Sequence, residues 1–320
     1  MQRTLAVFFP VLSQGQITLI EKTAQAAGFR CVFLPDESAR PEELRDAEVF
    51  FGVSAALPSA MPKLKWVASP NAGVEPYCNP GVLPDSVTLT NSAGAYGVTI
   101  SEHIVMVTLE LLRQRLRYLS IVAARDWTRD LPVSSILGSR ILMLGTGDIG
   151  KETARRLRAF APARIIGLNR SGRCDEALFD FVGTIDRIGD FLPETDILIA
   201  SLPGTPLTAG LLNEARLRML PRHACIVNVG RGSLIDETAL RALLEAGELA
   251  GAALDVFCEE PLPADSPLWQ TANLIITPHI SGNTTLPYTK DRIVALFLDD
   301  LRRYAAGEPF RRVVDRSLGY

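Results

Sequence analysis

Three side chains in the second half of the chain have the types and settings that acid–base and anion chemistry require. Arg231 stands between two glycines in Gly230-Arg231-Gly232, so little covers its guanidinium. A guanidinium so placed can fork onto a carboxylate through two parallel hydrogen bonds; the bland alternative is a solvated surface charge. His279 follows an apolar run and Pro278, whose ring stiffens the backbone. An imidazole exchanges protons near neutral pH, which makes His279 the natural proton donor or acceptor. Glu260, in Glu259-Glu260-Pro261, is suited to hydrogen-bond the second ring nitrogen and orient the ring. The other two histidines read differently. His103 lies on a long apolar helix, expected over residues 99–113, and is expected to be packed and satisfied. His223 precedes a strand and belongs to the opposite edge of a sheet.

These residues need elements to position them, and the chain supplies a regular series. Residues 140–160 read as a buried strand, the glycine turn Gly145-Thr146-Gly147-Asp148-Ile149-Gly150, and a helix with Ala154, Leu157 and Phe160 at helical spacing. Strand, G-x-G-x-x-G and helix in that order form a dinucleotide-binding unit. Gly145 permits the tight turn, Gly147 leaves room for a pyrophosphate, and Gly150 lets the helix approach the strand. The helix N-terminus offers free N–H groups to the phosphates.

Further apolar runs over 165–168, 197–201, 225–229, 252–256 and 274–277 give six expected strands with helices between them, a doubly wound parallel sheet. Polar or backbone-exposing residues follow each run. Asn169-Arg170-Ser171 follow the second, and Leu202, Pro203 and Thr205 the third. Then come Val229, Gly230 and Arg231; then Asp255 and Glu260; then His279. All fall on one edge, where open α/β sheets bind ligands.

Residues 1 to about 100 read as a smaller α/β domain, with strands near 5–9, 31–34, 49–52, 66–69 and 87–89. Ala72, Gly73 and Val74 follow its fourth strand and expose backbone N–H groups at a strand's carboxyl end; a plain turn is the equal alternative. A last helix carries Ile293, Leu296, Phe297, Leu301 and Tyr304 on one face and is expected to return to this domain. The expected division is therefore 1–100 with 285–320, and 101–284. The charged segment 125–130 is expected to be loop, lining a cleft or an oligomer interface.

Composition narrows the function class. The 320 residues are 47% hydrophobic, with net charge −3 and no basic surface for nucleic acid. The start lacks a secretory pattern, and no apolar run of about 18 residues suggests a membrane span. Five scattered cysteines without a C-x-x-C pair read as free thiols in the cytoplasm, and no metal site is expected.

Taken together, the stretches LMLGTGDIGKETARRL, LPGTPLTAGLLN, NVGRGSLIDETALRALLEAGELAGAALDVFCEEPLPADSPLW and NLIITPHISGNT resemble the D-isomer-specific 2-hydroxyacid dehydrogenases, with NAGVEPYC and TISEHI matching more loosely. The resemblance implies a Rossmann dinucleotide-binding domain and a smaller flavodoxin-like substrate domain. It implies hydride transfer between a nicotinamide cofactor and a small 2-oxo acid of the glyoxylate/hydroxypyruvate class. Arg231 would then bind the substrate carboxylate and polarise the carbonyl, His279 would move the proton, and Glu260 would be its partner. The backbone of residues 72–74 would grip the carboxylate, and Asp255 would position the nicotinamide carboxamide. A homodimer is implied by the family alone.

One departure stands out. Family members that prefer NAD usually carry Asp where this chain has Asn169, followed here by Arg170 and Ser171. A carboxylate that would repel a phosphate is absent, so NADP is the expected cofactor, with NAD possible. The alternative is that Arg170 only stacks on the adenine. Two other readings of the whole remain open: a bulkier 2-hydroxy acid, or a non-catalytic nucleotide-sensing protein on the same fold.

Overall fold

The structure is a computed structural model that describes residues 3–38, 41–174 and 177–320. It divides into two compact units, Met1–Tyr96 with Thr284–Tyr320, and Gly97–Asn283.

The first unit is built on five strands: β1 (Arg3–Phe8), β2 (Phe29–Phe33), β3 (Ala47–Gly52), β4 (Trp66–Ala68) and β5 (Thr88–Thr90). They pair in the order β2-β1-β3-β4-β5, every pair parallel. This is the flavodoxin-like order. The five expected strands are all present, shifted by one or two residues. The helix Gln14–Ala26 starts from a capping box in which Ser13 and Gln16 satisfy each other's backbone N–H. The last helix, Pro287–Ala306, packs on this unit as its apolar face requires. Phe297 stacks on Phe51 at 4.1 Å between ring centroids and lies 5.6 Å from Trp66. The Gln16 side chain donates to Asp291 at 2.7 Å, tying the first helix of the unit to the last.

The second unit holds β6 (Arg140–Leu144), β7 (Arg164–Asn169), β8 (Phe181–Thr184), β9 (Ile197–Ala200), β10 (Cys225–Asn228), β11 (Gly251–Leu254) and β12 (Leu274–Ile276). The order is β12-β11-β10-β9-β6-β7-β8, again all parallel. The central run is the Rossmann order, and the chain reverses direction across the sheet between β6 and β9. β8 is a seventh strand where the sequence suggests six. It is four residues long, contains Gly183, pairs only with β7 and is half-buried, so it leaves no apolar run to read.

Two helices depart from expectation. The apolar helix begins at Gly97, ahead of residue 99, because the Asp148 carboxylate accepts the Gly97 N–H at 2.7 Å and caps it from a neighbouring helix. A further helix, Arg115–Ala123, has no buried residue and so no core-facing stripe for periodicity to detect. Residues 126–135 form no regular element, as expected for that charged segment. Among the described residues no helix is long and apolar enough to cross a membrane.

Candidate active site

At the carboxyl edge of the seven-stranded sheet the loops are packed close enough to form a continuous ledge. Parallel pairing runs on past the strand ends. The Val229 N–H donates to Ala200, Asp255 to Asn228, Thr277 to Leu254, and His279 to Asp255, at 2.9–3.0 Å. The loops touch through glycines. A Cβ on Gly230 would sit 2.5 Å from the Leu202 carbonyl oxygen, and one on Gly232 would sit 1.8 Å from the Phe257 carbonyl carbon. Only glycine admits that approach, which sets Arg231 beside the loop that leads to Glu260.

Arg231 is half-buried, and its guanidinium donates to the Gly230 carbonyl at 2.6 Å. Its backbone is fixed from below by Asn228, a fully buried residue at the end of β10. The Asn228 side chain accepts the Gly230 N–H at 3.0 Å and donates to the Arg231 carbonyl at 2.9 Å. The sequence reading missed Asn228; the signal was a lone polar residue closing the apolar run Cys225–Asn228.

His279 and Glu260 meet as expected. Nδ1 of the ring lies 2.6 Å from Glu260 Oε2, and the ring is about half exposed, at 51% of its side-chain area. Glu260 Oε1 accepts the Phe257 N–H at 2.9 Å, so the carboxylate is itself oriented. His279 adopts a left-handed backbone, φ 52°, which costs a non-glycine residue about 1 kcal/mol and persists only when its surroundings enforce it. Asp255 does the enforcing. It is 2% exposed, and its carboxylate accepts the Thr277 hydroxyl at 2.6 Å and the Ile280 and Ser281 N–H groups at 3.0 Å. Two carboxylate oxygens offer about four acceptor positions, so room remains for one further donor.

His103 sits behind this loop, its Nε2 3.4 Å from the Thr277 hydroxyl. Burial pushes its pKa below the usual histidine value, opposed by the Asp255 and Glu110 charges, which keeps the ring neutral and packed. His223 pairs with Asp196 at 2.7 Å ahead of β9 and β10, on the opposite edge.

The glycine turn suits a dinucleotide. Gly145 has φ 109°, and a Cβ on Gly150 would lie 2.2 Å from the Gly145 carbonyl oxygen, so helix and strand are in contact there. A Cβ on Gly147 would meet nothing within 4 Å, and Gly147 caps the helix Asp148–Arg158 without any side-chain bond. Open space facing uncapped helix N–H groups fits a pyrophosphate. The Asp148 side chain is engaged with Gly97, so what Asp148 and Ile149 present there is backbone. Thr146 lies within the turn and is buried. Phe160 falls outside the helix, which stops at Arg158.

At the end of β7, Asn169 is half-buried and Arg170 and Ser171 are exposed. Beyond β9, Leu202 is buried and Pro203 and Thr205 are held by Thr208, whose hydroxyl donates to the Pro203 carbonyl at 2.7 Å and accepts the Thr205 N–H at 2.9 Å. Thr208 carries no signal in the sequence. Val229 is buried at the end of β10. Among the described residues no group of three His, Cys, Asp or Glu side chains is arranged to hold a metal ion.

In the first unit, the loop after β4 turns its carbonyls inward. Tyr96 donates to the Pro70 carbonyl at 2.8 Å, the Ser92 N–H to Asn71 at 3.0 Å and the Asn91 side chain to Ala72 at 2.9 Å. The N–H groups of Ala72, Gly73 and Val74 donate to no group among the described residues. With the Pro70, Asn71 and Ala72 carbonyls engaged, the N–H groups of residues 72–74 are a setting for an anion.

Comparison with known proteins agrees with this geometry. A glyoxylate/hydroxypyruvate reductase A of Klebsiella pneumoniae is 33% identical over 264 residues, covering 80% of this chain and 82% of that protein. The crystal structure of a D-isomer specific 2-hydroxyacid dehydrogenase family protein from Aeromonas salmonicida superposes with a TM-score of 0.84 at 32% identity, over 99% of this chain and 100% of the other. An NADPH-dependent glyoxylate/hydroxypyruvate reductase from Sinorhizobium meliloti, solved with NADP and sulfate, gives 0.82 at 28% identity over 99% and 100%. The sequence model for the family's NAD binding domain matches residues 105–281, more than half the chain, and with these relatives it establishes that the protein belongs to the D-isomer specific 2-hydroxyacid dehydrogenases.

Proposed function

We propose that the protein is a reductase that uses NADPH, and less readily NADH, to convert small 2-oxo acids of the glyoxylate and hydroxypyruvate class into D-2-hydroxy acids. The observation that carries the reading is the His279–Glu260 pair held on the same strand-end ledge as the glycine-flanked Arg231. A bound nicotinamide supplies the hydride from C4. Everything else falls to the chain.

The Glu260 carboxylate occupies Nδ1, which leaves Nε2 of His279 as the nitrogen that gives a proton to the forming alkoxide or takes one from the hydroxyl. Arg231 forks onto the substrate carboxylate and polarises the neighbouring carbonyl. The N–H groups of Ala72, Gly73 and Val74 are assigned to the same carboxylate. The remaining acceptor position of Asp255 suits the carboxamide N–H of the nicotinamide. The glycine turn takes the pyrophosphate, and Leu202, Pro203, Thr205 and Val229 line the path of the dinucleotide along the edge.

The test is loss of reduced-nicotinamide absorbance with glyoxylate, hydroxypyruvate and phenylpyruvate, each with NADPH and NADH. Fast turnover of the small acids with NADPH supports the reading. Turnover confined to phenylpyruvate would replace the substrate class, and nucleotide binding without turnover on any 2-oxo acid would favour the nucleotide-sensing alternative.

The working form in this reading is a cytoplasmic homodimer; all five cysteines are free. The helix Arg115–Ala123 leaves Leu116, Leu119 and Val122 exposed at helical spacing, and Trp127 beyond it is 86% exposed. Apolar side chains so grouped on one element mark a contact surface. A second copy of this chain is the partner assigned to it. Light scattering is expected to give twice the 34.8 kDa chain mass, and the double substitution L119D/V122D to give the chain mass itself. A dimer unmoved by that double substitution would place the interface elsewhere.

A further inference from the structure

Asp148 opens the helix Asp148–Arg158, yet its side chain serves another helix. The carboxylate accepts the N–H of Gly97, the first residue of the helix Gly97–Leu112, at 2.7 Å. The fit is close: a Cβ on Gly97 would lie 2.7–2.8 Å from all three carboxylate atoms. A side chain at position 97 would therefore displace the carboxylate. The compact units part between Tyr96 and Gly97, so this bond holds the chain at the point where it crosses from one to the other.

The residues just ahead of the crossing hold the loop after β4 by four successive carbonyls. The Ser92 hydroxyl donates to Ser69 at 3.0 Å and the Tyr96 hydroxyl to Pro70 at 2.8 Å. The Ser92 N–H donates to Asn71 at 3.0 Å and the Asn91 side chain to Ala72 at 2.9 Å. Tyr96 is buried, so its hydroxyl depends on the Pro70 carbonyl as a partner.

We propose that Asp148 is a positioning residue that couples binding of the dinucleotide to binding of the 2-oxo acid, along the path Asp148, Gly97, Tyr96, Pro70. This rests on the function proposed above, in which the glycine turn takes the pyrophosphate and residues 72–74 take the substrate carboxylate. A pyrophosphate seated on the N–H groups at the start of the helix narrows the positions open to Asp148. The carboxylate passes that restraint to Gly97, the peptide bond passes it to Tyr96, and the phenol passes it to Pro70. The N–H groups of Ala72, Gly73 and Val74 are thereby set before the acid arrives. Each ligand then meets a site that the other has partly ordered, so each tightens the other by the same factor.

The probe is oxamate, a 2-oxo acid analogue whose amide carbonyl resists hydride transfer. The dissociation constant of NADPH is measured by its fluorescence on the full chain, with and without excess oxamate, and the ratio is the coupling factor. The unmodified chain is expected to show about tenfold. D148A should bring the factor close to one. Its affinity for NADPH alone should not fall, because the backbone donors remain and a carboxylate near the phosphates is gone. D148N should keep most of the factor, since its side-chain oxygen still accepts the Gly97 N–H. G97A should resemble D148A, with the carboxylate present but displaced. Y96F cuts the path at its other end and should lower the factor as well. In D148A, KM for glyoxylate should rise more than kcat falls. If D148A does not fold, G97A and Y96F carry the test. Full coupling in D148A or in G97A would overturn the inference, as would a loss in D148N equal to that in D148A. A chain that binds both ligands without coupling overturns it too and leaves the proposed function standing. A chain that binds no NADPH removes the proposed function and the inference with it.

Discussion

Replacing His279 by alanine is expected to lower kcat for NADPH-driven reduction of glyoxylate or hydroxypyruvate by about 10²- to 10⁴-fold, the range for loss of a positioned general acid. That is about 3–5 kcal/mol of transition-state stabilisation. Affinity for NADPH should change far less, because in the proposed reading the phosphates are held at the glycine turn and the end of β7, away from this ring. Nδ1 is fixed on Glu260 at 2.6 Å, the ring is half open to solvent, and the backbone at φ 52° is held by Asp255 through three consecutive residues. The companion E260Q keeps the size of the side chain and removes its charge; it should lose a smaller factor, about tenfold, the worth of orienting and stabilising the imidazolium. Steady-state kinetics with both nucleotides settles it: an H279A enzyme with unchanged kcat would remove the proton-transfer role altogether.

The sheets were legible in the sequence because parallel strands are buried on both faces and read as unbroken apolar runs. Val227 and Ile141 announce β10 and β6 in this way. β8 did not announce itself: it is an edge strand with a glycine at its third position and one neighbour. The site was legible where chemistry depends on residue type at a strand end. Arg231, Glu260 and His279 lie in strand-end loops along one edge, with histidine and glutamate in hydrogen-bond contact. What the sequence did not reveal are the residues that hold those groups in place. Asn228 and Thr208 bond backbone groups within five residues of themselves and Thr277 bonds the Asp255 carboxylate, contacts that follow from how each loop is folded; of the three, only Asn228, closing an apolar run, leaves a trace in the sequence. Asn169 shows both sides. Its identity pointed to cofactor choice, yet its carboxamide is bonded within the protein, to Thr146, Ser171, Gly172 and Arg173, which its place in the sequence does not show.

Arg231 should prove the costliest residue to lose for substrate binding. Two parallel charge-assisted hydrogen bonds to a carboxylate, at about 1.5–3 kcal/mol each, correspond to a loss of roughly 10²- to 10⁴-fold in kcat/KM for R231A. R231K keeps the charge and loses the fork, so it should recover only part, about tenfold. The fold should tolerate both substitutions. Asn228 holds residue 231 by its carbonyl, and the flanking glycines make the close contacts, so none of these depends on the arginine side chain. Thermal melting of R231A should therefore stay near that of the unmodified protein while KM for the oxo acid climbs. A sharper comparison uses an aldehyde of matched size without a carboxylate. The unmodified enzyme should strongly favour the acid, and R231A should treat acid and aldehyde nearly alike, because the group it lost is the one that tells them apart. If R231A still prefers the acid, the carboxylate is held by other donors, and the N–H groups of Ala72, Gly73 and Val74 become the principal anchor in its place.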